Sequence, residues 1–175
     1  MGYKFNNIQG WMSNEELEWL YNKATEMQSI VEIGSWRGRS THALLSGCPG
    51  IVFSVDHWLG NENERSGAHK EATEQDIYAQ FMNNVGHFKN LCVLRGESRD
   101  QAPLFYDKTV DMCFIDGCHM YNYVKEDITL WLPKTIKIIC GHDCGQDGVP
   151  AAINEIFPNK WKQVAGTIWS VEDLV

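Results

Sequence analysis

No run in this chain is long and apolar enough to span a bilayer, so a membrane role is not expected. Basic residues are in deficit. With 15 Lys and Arg against 23 Asp and Glu, the formal net charge is −8, whereas a nucleic-acid partner would want a basic face. No Cys-x-x-Cys pair occurs among Cys48, Cys92, Cys113, Cys118, Cys140 and Cys144, and the N-terminus is polar rather than leader-like. The thiols are therefore expected to be reduced and the chain cytoplasmic. Met-Gly opens the chain, but Asn6 breaks the myristoylation pattern. Repeats and low-complexity stretches are absent. So is the dinucleotide fingerprint G-x-G-x-x-G: Trp36 stands at its second glycine and blocks close approach of a pyrophosphate. What remains is an ordinary globular composition, 43% hydrophobic and 22% charged over 175 residues. It suits one domain, residues 1–175, in which a helical segment (1–28) precedes the core (29–175).

The chain is organised around Ile30 to Thr41, Ile-Val-Glu-Ile-Gly-Ser-Trp-Arg-Gly-Arg-Ser-Thr. Ile30, Val31 and Ile33 form a β-branched run of the kind buried in a parallel sheet. Gly34 and Gly38 let the backbone turn sharply, and Ser40 to Leu45 opens a helix. The free N–H groups and dipole of a helix start make such a turn a ligand platform. Glu32, beside the turn, would repel a pyrophosphate but suits an ammonium group or a ribose hydroxyl.

Upstream, Ser13-Asn-Glu-Glu16 is a capping box. Behind it Leu17, Leu20, Tyr21, Ala24 and Met27 mark a helix from about Glu15 to Met27. Gly10-Trp11-Met12 either staples that helix start, which the local pattern favours, or lines a pocket. Downstream, the strand Ile51 to Val55 ends at Asp56, and a polar insertion from His57 to about Gln75 has the length of a lid or mobile loop. A helix over Asp76 to Val85 and a strand over Leu91 to Leu94 lead to Arg95-Gly-Glu-Ser98. The strand Val110 to Ile115 ends in Asp116-Gly-Cys-His119. After a helix over Tyr121 to Trp131, the strand Ile136 to Cys140 ends in Gly141-His-Asp143. A helix over Val149 to Phe157 and a hairpin of Trp161 to Ala165 and Thr167 to Val171 complete the chain. Alternating strands and helices imply an α/β fold, a parallel sheet with helices on both faces.

Ligands of such sheets bind beyond the carboxyl ends of the strands, which gathers Gly34, Asp56, Ser98, Asp116, His119, His142 and Asp143 along one edge. Asp56 is placed to take ribose hydroxyls or to cap a loop. Ser98 can offer a hydroxyl to an adenine edge. Asp116 and Asp143 end adjacent strands and can share a divalent cation, Mg²⁺ or Mn²⁺. His142 would add a nitrogen and tilt the preference to Mn²⁺, Fe²⁺ or Zn²⁺. His119 suits a general base. A zinc cluster of Cys118, His119, Cys140, His142 and Cys144 matches no structural spacing.

Three stretches carry a resemblance: Val31 to Thr41, Phe114-Ile-Asp-Gly-Cys-His-Met-Tyr121, and Gly141-His-Asp143 before Gly-Val-Pro. Together they resemble the class I S-adenosylmethionine (SAM) dependent methyltransferases, in the branch that includes macrolide-sugar O-methyltransferases and the proteins named cephalosporin hydroxylases. The resemblance implies a Rossmann-like sheet, seven mostly parallel strands with the last antiparallel. It implies SAM held by Glu32, Gly34, Asp56 and Ser98, with Ser35, Gly38, Ser40, Thr41, His57, Glu97 and Asp116 around them. It implies O-methylation of a small hydroxylated molecule, with Asp116 and Asp143 at a metal, to which the residues themselves add His142, and with Asp116, His119 and Asp143 as the catalytic set. His142 departs from the acid that the sugar O-methyltransferases carry there. The chain also lacks their N-terminal extension, so the resemblance does not extend to a sugar acceptor. A SAM- or nucleoside-binding protein without transfer, and a small metal-dependent hydrolase, are the alternatives. A homo-oligomer is compatible with the chain.

Overall fold

The computed structural model describes residues 3–61, 67–146, 148–172 and 174. Seven strands share one sheet in the order β3-β2-β1-β4-β5-β7-β6. These are β1 (Ser29–Ile33), β2 (Ile51–Asp56), β3 (Leu91–Arg95), β4 (Val110–Ile115), β5 (Thr135–Gly141), β6 (Lys162–Ala165) and β7 (Ile168–Glu172). β1 to β5 pair in parallel, with Ile33 between Val55 and Ile115 at the carboxyl edge. Six strands run one way. β7 alone opposes them, antiparallel to both β5 and β6. The expected Rossmann-like sheet is the observed one, and the hairpin returns so that its second strand sits next to β5.

Both faces are covered, because the central strands are apolar on both sides. On one face α1 (Asn14–Ala24), α2 (Arg39–Gly47) and α4 (Ile77–Val85) bury Leu17, Leu20, Leu44, Phe81 and Phe114. On the other, α6 (Tyr121–Trp131) and α7 (Val149–Ile156) bury Val31, Ile128, Trp131, Ile153 and Trp169. The capping box of α1 forms as its spacing requires: the Ser13 hydroxyl accepts from the Glu16 N–H, and Glu16 accepts from the Ser13 N–H. Asp76 caps α4 by accepting from the Ala79 N–H.

Two short helices depart from the expected elements. α3 (Ala68–Glu74) lies within the polar insertion, and α5 (Ser98–Gln101) follows Gly96. α3 has no apolar stripe to announce it. An ion pair of the buried Arg37 with the partly exposed Glu71, Nη1 to Oε2 at 2.7 Å, ties it to the glycine turn. The part of the insertion from α3 onward is thus fastened, while residues 62–66 lie outside the described residues. Among the described residues no helix is long and apolar enough to cross a membrane.

Candidate active site

Gly34 turns the chain off β1 with φ +85°, and a Cβ there would lie 2.2 Å from the Asp116 carbonyl oxygen. Only glycine lets the turn seat against the end of β4. The following loop is held by Asp56, whose Oδ2 accepts from the Trp36 N–H at 2.8 Å and whose Oδ1 accepts from the Trp58 N–H at 2.6 Å. Burial pushes the Asp56 carboxyl up, opposed by those two N–H groups. Glu32 is fully buried behind the turn and accepts from the Ser40 and Thr41 hydroxyls at 2.6 and 2.5 Å. It therefore fastens the first turn of α2 to β1.

Burial also pushes the Glu32 carboxyl up to about 7, against the pull of those hydroxyls. The native state then holds a proton that the unfolded chain releases near 4.5, so this group's contribution to stability falls as pH rises from about 4.5 to about 7. Glu32→Gln is expected to flatten that slope. Between about pH 5 and 7.5 the variant should lose about 2 kcal/mol less than the wild type in urea titrations. Parallel pH profiles for the two proteins would contradict the assignment.

A cavity of about 700 Å³ opens over the carboxyl edge of the sheet. Of the residues expected to bind cofactor, Gly34, Ser35, Ser40, Asp56, His57, Glu97, Ser98 and Asp116 line it. Glu32, Gly38 and Thr41 do not, and stand behind its wall. The Ser98 hydroxyl accepts from the Trp131 indole at 2.8 Å. Asp127 beside it is pushed up to about 7 by burial, against its bond to Ser98. Trp11 is a wall residue as well as a flank of α1, its ring 6.2 Å from that of Trp36. Arg39 holds that N-terminal strap by donating to the Met12 and Ile8 carbonyls at 2.8 and 2.7 Å.

At one end of the cavity stand Asp116, His119, His142 and Asp143. Asp143 has φ +57°, a strained conformation of the sort that gathers at functional sites. Its Oδ2 lies 3.1 Å from His119 Nε2 and 3.1 Å from His142 Nδ1, and its Oδ1 accepts from the Gln146 amide. His142 Nδ1 is 3.4 Å from Asp116 Oδ1, and its Nε2 is 3.1 Å from Glu16 Oε1. Burial alone would lower the His142 pKa, but Asp116, Asp143 and Glu16 outweigh it and push it up to about 12. Burial raises Asp116 against the attraction of His142. Asp143 resists the same burial through the hydrogen bonds of His119 and His142, and lies well below the usual carboxylate range. Donor atoms of Asp116, His142 and Asp143 lie within 4.8 Å of one another. Cys140 has no part in this cluster: it is fully buried, with its thiol on the Cys113 carbonyl.

Residues 31–144 match a family model described as a methyltransferase domain. The chain belongs to this methyltransferase family. The matched segment runs from β1 through His142 and Asp143, so it holds the glycine turn and all four residues at the cavity's end. Solved O-methyltransferases share the fold. One from Bacillus cereus, in complex with S-adenosylhomocysteine (SAH), has 16% identity and a TM-score of 0.65 over 95% of this chain and 85% of that one. TomG from Streptomyces achromogenes, in complex with SAM, has 18% identity and a TM-score of 0.63 over 93% and 81%. The uncharacterized protein y4gI of Sinorhizobium fredii is 29% identical over 125 residues, 66% of this chain. That alignment spans only 13% of y4gI. Glu16 lies outside the family match. In the sequence the capping box accounts for it fully, and no local signal links it to His142.

Proposed function

We propose that this chain transfers the methyl group of SAM to a hydroxyl oxygen of a small molecule, assisted by a divalent cation such as Mg²⁺ or Mn²⁺. One observation carries the reading. The cavity bounded by the glycine turn, Asp56 and Ser98 also contains, at its end, a histidine–carboxylate pair and a converging set of cation donors. Its volume is in the range of small-molecule sites, and its acidic residues suit the hydroxyls of a ribose. The donor set also fits a cation, since two carboxylate oxygens and an imidazole nitrogen converge within 4.8 Å. Asp116, His142 and Asp143 would hold the ion, which when bound lowers the pKa of a substrate hydroxyl.

The chain's own residues supply the remainder. Asp143 accepts the His119 Nε2–H, which puts the lone pair of the neutral ring on Nδ1 for the acceptor's proton. The oxygen then attacks the methyl carbon in line with the sulfonium. A C–O bond forms, the C–S bond breaks with its electron pair on sulfur, SAH leaves, and the proton stays on His119. The family membership and the SAM- and SAH-bound relatives support the cosubstrate. The test is turnover of methyl-labelled SAM with a panel of hydroxylated acceptors. SAH released in step with labelled product is expected. SAM binding with no SAH released for any acceptor would leave a binding protein, and hydrolysis of esters or phosphates without SAM would indicate a hydrolase.

A further inference from the structure

We propose that Glu16, on α1, is a positioning residue that makes His142 a nitrogen donor and so biases the site toward Mn²⁺ and away from Mg²⁺. The inference rests on the cation reading above and adds a residue 126 positions from His142.

Glu16 is 4% exposed, and its carboxylate is built into three elements. Oε2 accepts from the Ser13 N–H at 2.7 Å. Oε1 accepts from the Thr167 N–H at 2.8 Å and the Thr167 hydroxyl at 3.1 Å, and faces His142 Nε2 at 3.1 Å. The turn before β7 closes directly on it: a Cβ on Gly166 would lie 2.3 Å from the same oxygen. A carboxylate surrounded by donors only accepts, so the hydrogen of its contact with His142 belongs to Nε2. Nδ1 faces Asp143 Oδ2 at 3.1 Å and Asp116 Oδ1 at 3.4 Å and donates its hydrogen there. A cation held by those oxygens would displace that proton, while the proton on Nε2 stays with Glu16 and leaves the Nδ1 lone pair for the ion. A carboxylate on the far nitrogen of a ligating histidine fixes tautomer and ring orientation and raises ligand basicity. Oxygen-only sites suit Mg²⁺, while an imidazole nitrogen favours later first-row ions. Neither the capping box nor the hairpin contact requires His142 Nε2 to face Glu16. That third use of the carboxylate ties the N-terminal helix to the cation donors.

The test is Mn²⁺ binding followed by electron paramagnetic resonance of the free ion, with Mg²⁺ as competitor, on the full chain. Glu16→Gln should weaken Mn²⁺ by ~10–100-fold and leave Mg²⁺ nearly unchanged, so the Mn²⁺/Mg²⁺ ratio falls about tenfold or more. Asp116→Asn should weaken both ions together. His142→Asn should lower the ratio by itself, and adding Glu16→Gln to it should lower the ratio no further. That pair decides the matter if Glu16→Gln alone folds poorly. A wild-type ratio in Glu16→Gln, with both ions weakened by Asp116→Asn, would overturn the positioning role and leave the cation site standing. Mn²⁺ binding untouched by Asp116→Asn would overturn the cation reading itself, and the inference with it.

Discussion

Replacing His119 with alanine is expected to lower the methyl-transfer rate by ~10²–10⁴-fold while leaving SAH affinity within about twofold of wild type. The expectation follows from geometry. His119 lies four residues past the end of β4, in the loop that borders the cavity, and Asp143 Oδ2 fixes its Nε2 at 3.1 Å. Its main-chain carbonyl is held as well, by the Gly148 N–H at 3.0 Å. The ring is therefore held by Asp143 and the main chain by Gly148, which fixes the imidazole at the cavity's end. The glycine turn and the β2 and β3 ends lie elsewhere along the edge and lose nothing with the imidazole. Single-turnover rates and calorimetric titration of SAH separate the two effects. A variant that turns over within about threefold of wild type would remove His119 as the base.

The second large effect falls on stability. Asp143→Ala should cost about 3–5 kcal/mol, the range for breaking a buried ion pair by deleting one partner. In a chain of this size that lowers the melting midpoint by roughly 10 °C. His119, His142 and the Gln146 amide all converge on this carboxylate. Its removal leaves the buried His142 with only Asp116 and Glu16 to balance its charge. Asp143 also sits at φ +57°, so Asp143→Gly, which carries no left-handed strain, should recover about 1 kcal/mol of the loss. Thermal melts in the presence of chelator measure both variants. A loss under about 1 kcal/mol for the alanine variant would mean that the cluster is solvated rather than paired.

Much of this molecule is legible in the sequence because its signals are local. β-branched runs ended by glycine or acid mark β1, β2 and β4, and Ser13 with Glu16 marks the start of α1. The residues past β4 and β5 meet because adjacent parallel strands end at one edge. What could not be read is long-range. α3 has no apolar period and is ordered by Arg37 reaching Glu71. In a strand buried on both faces, alternation cannot say which side receives Glu32. It turns under α2 rather than toward the cavity. Asp56 sits where a ribose partner was expected, yet it also organises the loop through the backbone of Trp36 and Trp58. The local pattern around Trp11 favours a staple of α1, and the structure places it in the cavity wall. Glu16 is the clearest case. Its local role as a cap hides its tie to His142, which exists only once β5, the hairpin and α1 have packed.

If one cavity holds SAM beside the proton acceptor, calorimetric titration with SAH gives saturable one-to-one binding that stabilises the fold by about 2.7 kcal/mol at a hundred times the dissociation constant. Gly34→Ala, which drives a methyl group into the Asp116 carbonyl, is expected to abolish that binding. No heat and no rise in melting midpoint at millimolar SAH would mean that the cavity does not hold SAM.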